Sequence, residues 1–153
     1  MLDTFRGLPT HVLLLHATVV LVPLACVVTV AVAFWPRVRT LAAWPVVGLN
    51  AVMVAMVWLT AQAGQRLAAR IGASGLVADH AAIGSNMIWF ALALLVSSVL
   101  VALLHARGGA ARLGTGVLSA VVALATVVWV VRVGESGAIA VWKDVVANTT
   151  AGG

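Results

Sequence analysis

The chain has 153 residues, 63% of them hydrophobic and only 8% charged. Average soluble domains carry roughly 25% charged residues, and a soluble fold of this size leaves about 30% of its unfolded surface in water, so the composition excludes a soluble globule and specifies an integral membrane protein. The formal charge of +5 comes from arginines at the ends of apolar runs, with no basic stripe interleaved with aromatics; a nucleic-acid partner is excluded, and the lipid bilayer is the partner that the composition names.

A bilayer core takes about 20 apolar residues as a helix, and four runs are long enough, over about 11–35, 44–64, 80–105 and 113–133. No alternation of polar and apolar residues suggests a barrel. The expected fold is all-α, a polytopic four-helix bundle forming a single transmembrane domain over 1–153, with an interfacial tail over 134–153. The first run contains Pro23, which removes one backbone bond and predicts a local kink. Ala31-Val32-Ala33 has the form of a signal-peptide cleavage site, but the run before it exceeds the ~7–15 residues of a signal core and contains histidines, so it reads as a retained span. Cys26, the single cysteine, reads as a small buried filler. Trp44-Pro45 opens the second span. "HARGGAARLG" is a glycine-rich turn between spans three and four. In the tail, Ile139, Trp142 and Val146 recur at helical spacing and suit the membrane surface. No long internal repeat stands out.

Four spans put both termini on one side, side A, with the connection 65–79 and the tail. Side B holds only "PRVRTLAA" and "ARGGAAR", which are short and basic (Arg37, Arg39, Arg107, Arg112) without acids. Counting basic residues in short loops makes side B cytoplasmic and turns the termini outward.

The polar residues concentrate near side A. At about 1.5 Å per residue, His11, His80 and Glu135 lie at one level, and Asp79, Arg132 and Ser136 join that polar layer. His16 lies about a turn and a half deeper. His11 shares a helical stripe with Thr18, Ala25 and Thr29, and His80 one with Gly84, Met87, Ala91 and Ser98. Small residues mark helix–helix contact faces in membranes, so both histidines are expected to point into the bundle and to approach each other, with Glu135 and Arg132 nearby. His16 is about 140° around the helix from His11 and is expected to bond a neighbouring helix or a cofactor instead of facing lipid. Bland readings stand beside these. His11 suits headgroup contact, His80 a helix start with Asp79, and His105 an interfacial position, while Asn50, Ser97 and Ser98 suit interhelical bonding.

"GLPTHVLLLHATVVLVPLA", "TAQAGQRLAARI", "ADHAAIGSNM" and "GESGAIAVW" together resemble a family of small bacterial four-span membrane proteins, domain of unknown function family 2231. The resemblance covers nearly the whole chain. Val12 stands where the family opening has a proline, and Glu135 where its tail has a histidine. Some relatives are fused to Rieske iron–sulfur domains, which implies electron transfer in the bacterial cytoplasmic membrane. Carried over residue by residue, it supports His11, His16, His80 and the Glu135 position.

Two functions follow as expectations. The first is a haem b site using His11, His16 or His80 as axial ligands, or a transition-metal site from His11, His80 and Glu135, serving membrane electron transfer. The second is a subunit without cofactor, in a larger membrane complex or homo-oligomer, whose polar layer docks a partner or lipid. A transporter ranks below both, because no carboxylate lies mid-membrane. No nucleophile–base pair with useful spacing marks an enzyme.

Overall fold

The computed structural model describes residues 4–5, 8–104 and 106–149. Two short strands, β1 (Thr4–Phe5) and β2 (Leu8–Pro9), pair antiparallel before the first helix. Five helices follow: α1 (Thr10–Phe34), α2 (Pro36–Ile71), α3 (Leu76–Ser85), α4 (Met87–Leu103) and α5 (Ala110–Asn148). Among the described residues the regular structure is helical apart from β1 and β2. α1, α2, α3 with α4, and α5 make four segments long and apolar enough to cross a membrane.

The connections follow from local chemistry. Trp35 is extended (φ −99°, ψ 102°) and Pro36 occupies the first turn of α2. The residue before proline is driven from helical backbone, and proline suits a first turn, so a single residue turns the chain. "PRVRTLAA", expected as a loop, is therefore helical, and Pro45 lies inside α2. At the other end of α2, Gly72 takes φ +64° and its N–H bonds the Ala68 carbonyl, a left-handed cap that favours glycine. α1 runs unbroken through Pro23. The third span is interrupted at Asn86, whose side-chain Nδ2 donates to the Ala82 carbonyl at 3.2 Å. Trp129 Nε1 reaches across from α5 to the Ile83 carbonyl at 3.2 Å beside this break.

α2 and α5 are longer than their apolar runs, with 36 and 39 residues. At about 1.5 Å per residue they reach roughly 54–58 Å, well beyond the ~30 Å hydrocarbon core. The tail is thus the continuation of α5. His105 and residues 150–153 lie outside the described residues, and so does the interfacial reading of His105.

α1 packs against α2 and α5, and α4 packs against the same two, leaving α1 and α4 as a diagonal pair. Val22, Met53, Val57, Met87, Leu94 and Val130 form the central core, and Val32, Ala33, Ala43, Val46, Val101 and Ala102 the side-B core. Polar residues are threaded between them: Asn50 Nδ2 donates to Thr29 Oγ1 at 3.0 Å, an interhelical bond of the kind read from the sequence.

Arg39 differs from expectation. It is only 2% exposed. Its guanidinium donates to the Val101 carbonyl at 3.2 Å, the Thr115 hydroxyl at 3.0 Å and the Ala33 carbonyl at 3.5 Å. Carbonyls in the last turn of a helix lack intrahelical donors and carry its negative dipole end. Arg39 serves α1 and α4 together there, while Arg37, Arg107 and Arg112 are exposed.

Candidate functional site

The side-A ends of the helices enclose an open cavity of about 320 Å³, lined largely by apolar groups, with His11 and His80 among them. The two rings meet edge to face, with centroids 6.4 Å apart and planes at 71°. The equal depth read from the sequence is thus joined by a shared facing. Thr18, Ala25 and Thr29 on the His11 stripe are buried, as are Met87, Ala91 and Ser98 on the His80 stripe.

The hydrogen bonds set both tautomers. His11 Nδ1 lies 3.0 Å from the Thr60 carbonyl of α2. A carbonyl only accepts, so Nδ1 carries a proton, and in the neutral ring Nε2 is bare. Thr60 is itself anchored, because its hydroxyl meets that of Thr18 at 3.0 Å and bonds the Met56 carbonyl at 2.8 Å. His80 Nδ1 lies 2.9 Å from Ser136 Oγ on α5. That hydroxyl donates to the Val133 carbonyl at 2.9 Å, so it accepts from His80. His80 too has Nδ1 protonated and Nε2 bare. An imidazole held through Nδ1–H, with Nε2 free, is the arrangement in which outer partners orient a metal-ligating histidine.

Three expectations are corrected. His16 does not bond a neighbouring helix: it is exposed, and its Nδ1 bonds the Val12 carbonyl of its own helix at 2.6 Å. Its position about 140° from His11 turns it out of the bundle, and the backbone one turn back meets its need for a partner. Glu135 does not join the histidines. It is exposed and outside the cavity lining, as are Arg132 and Asp79. One residue is about 100° of helix rotation, so with Ser136 turned to His80, Glu135 faces away. Among the described residues no group of three His, Cys, Asp or Glu side chains could hold a metal ion, so the set His11, His80 and Glu135 is not assembled.

Sequence reasoning missed Thr60, Gly64 and Gly137, and placed Ser136 in the layer without a role. A threonine and two glycines in apolar runs carry no chemical signal of their own. Only the histidines opposite them give them meaning.

A family model described as predicted membrane protein (DUF2231) matches residues 7–150. No curated protein and no solved structure matches the chain.

Proposed function

We propose, for a chain that belongs to the DUF2231 family of predicted membrane proteins, that the side-A cavity is a haem b site with His11 and His80 as the two axial ligands, serving electron transfer in the bacterial cytoplasmic membrane. The observation that carries the reading is the donor count. Two imidazoles with bare Nε2 atoms converge on an apolar cavity, and no third ligating side chain accompanies them among the described residues. A protein zinc site takes four ligands, at least three of them from the protein. Haem iron brings four porphyrin nitrogens and asks the protein for its axial positions.

His11 and His80, with ring centres 6.4 Å apart, would hold the group between them through their Nε2 atoms. The cavity of about 320 Å³ is at the small end of ligand sites, about 300–1,000 Å³, but its open mouth means that a macrocycle need not be wholly enclosed. Held by His11 and His80, the group would supply one-electron transfer. The chain's own part is to fix both tautomers through Thr60, Val133 and Ser136, and to surround the group with low-dielectric walls that influence its potential. The basic character of side B supports a cavity mouth on the outer side of the membrane.

The test is the visible spectrum of the detergent-purified protein, oxidised and reduced. A reduced-minus-oxidised haem band is expected, lost in His11→Ala and in His80→Ala and kept in His16→Ala. A folded, native preparation with neither haem nor stoichiometric metal overturns the reading and leaves the cofactor-free subunit. Loss of the band in His16→Ala alone would move the ligand to that residue.

A further inference from the structure

The two halves of the bundle repeat each other in register. From His11 to His80 is 69 residues, and the same offset carries buried Thr18, Val22, Ala25, Thr29, Val32 and Ala33 of α1 onto buried Met87, Ala91, Leu94, Ser98, Val101 and Ala102 of α4. An offset of 73 carries buried Ala43, Val46, Asn50, Met53, Val57 and Thr60 of α2 onto buried Gly116, Ser119, Ala123, Thr126, Val130 and Val133 of α5. Over residues 43–60 and 116–133 the succession of buried, half-buried and exposed positions is identical throughout. The packing obeys the same exchange. Swapping α1 with α4 and α2 with α5 turns the α1–α5 contact into the α4–α2 contact, and both are extensive. Both hairpins start on side A, so the relation is a parallel repeat about an axis along the membrane normal.

The cavity lies on that axis. Its lining pairs His11 with His80, Thr60 with Val133, Gly64 with Gly137 and Ala68 with Val141 at the two offsets. The glycines do the same thing in each half. A Cβ on Gly64 would stand 2.8 Å from His11 Cε1 and 2.9 Å from Nδ1. A Cβ on Gly137 would stand 3.0 and 3.3 Å from the corresponding atoms of His80. Gly64 is four residues after Thr60, and Gly137 four after Val133. Helical Cβ atoms tilt toward the N-terminus, so a side chain on Gly64 would also crowd the Thr60 carbonyl that His11 bonds, and one on Gly137 would press on the Nδ1 side of His80, where that ring bonds Ser136 Oγ.

We propose that the chain is a tandem repeat of one histidine-bearing hairpin, and that Gly64 and Gly137 are paired positioning residues that seat the two imidazoles equivalently on either side of one ligand on the pseudo-two-fold axis. The ligand class is a flat, metal-centred group that accepts one imidazole on each face. Its identity rests on the haem reading above, whereas the seating stands without a ligand.

The test uses the full chain in detergent. In ¹⁵N-histidine spectra, Gly64→Ala is expected to lose the hydrogen-bonded Nδ1–H signature of His11 and keep that of His80, and Gly137→Ala to do the reverse. Gly48→Ala, where an added Cβ meets nothing within 4 Å, should move neither. In haem-loaded protein each glycine variant should turn the six-coordinate low-spin spectrum into a five-coordinate one, and added imidazole should restore it. A response to only one glycine, or to neither, overturns the proposal. Wild type without haem overturns only the reading of the ligand, and the nitrogen spectra still decide the seating. Low-spin spectra unchanged by both variants overturn the seating and leave the haem reading intact. If Gly64→Ala fails to fold, the double variant with His11→Ala removes the ring that the methyl strikes and should fold; failure there also overturns the proposal.

Discussion

Replacing Asn50 by leucine should leave the protein as stable as before or slightly more so, while Thr29→Val should weaken it. Asn50 is 1% exposed at mid-bundle. Its Nδ2 donates to Thr29 Oγ1 at 3.0 Å; that hydroxyl donates onward to the Ala25 carbonyl at 2.7 Å and so serves Asn50 as an acceptor. Asn50 Oδ1 has no hydrogen-bond partner among the described residues. Asn50→Leu therefore removes one interhelical bond, which averages about 0.6 kcal/mol in a membrane and reaches about 1.7. It also removes an orphan acceptor whose burial costs about 1–3 kcal/mol. The two nearly cancel, and the net change should lie between zero and about 1 kcal/mol of stabilisation. Thr29→Val does the opposite. It keeps the shape but strands the whole Asn50 amide, at a cost of about 1–3 kcal/mol. The double variant should then match Asn50→Leu within about 0.5 kcal/mol, since the group that Thr29→Val strands is gone. Reversible unfolding in mixed anionic and non-ionic micelles, followed by far-ultraviolet circular dichroism, measures all three. Asn50→Leu destabilised by more than about 2 kcal/mol, as much as Thr29→Val, would refute the reasoning, because the amide oxygen would then have a partner of its own.

Arg39→Lys should lower stability by about 1–2 kcal/mol, because one ammonium cannot serve the Val101 and Ala33 carbonyls and the Thr115 hydroxyl together; the same unfolding assay reads it, and a haem band, where present, should survive because the change is at the far end of the bundle. Cysteines placed at Ser74 and at Gly108 should report the orientation. With side A outward, an impermeant reagent on whole cells labels Ser74→Cys and not Gly108→Cys, and the reverse pattern inverts the topology. Gly108 suits the purpose better than its neighbour Gly109, whose φ of +57° would strain a side chain. Trp142, exposed near the end of α5, should sit at headgroup depth; in a variant that keeps only this tryptophan, brominated lipids labelled close to the headgroup should quench it most, and strongest quenching from the acyl-chain ends would contradict this.

Composition and run length were enough for the class, the number of spans and the depth of the histidines. Depth is legible because a membrane helix is nearly one-dimensional: each residue adds about 1.5 Å whatever its neighbours are, so His11 and His80 fall at one level by counting alone. Facing is another matter. Each residue also turns the helix by about 100°, and which azimuth is buried depends on the partner that each helix meets. That is why Glu135 and Ser136, adjacent in sequence, part company, one exposed and the other bonded to His80. It is also why His16 satisfies itself on its own backbone. The repeat was hidden for a related reason. A bundle in lipid needs small and apolar side chains at its buried positions but is nearly indifferent to which ones, so Val22 answers to Ala91 and Met53 to Thr126, and scattered identities such as Val57 with Val130 do not betray the match. The glycines were least legible of all. Gly64 and Gly137 matter for the space that they leave to an imidazole from another helix, and only the assembled bundle brings that ring to the site.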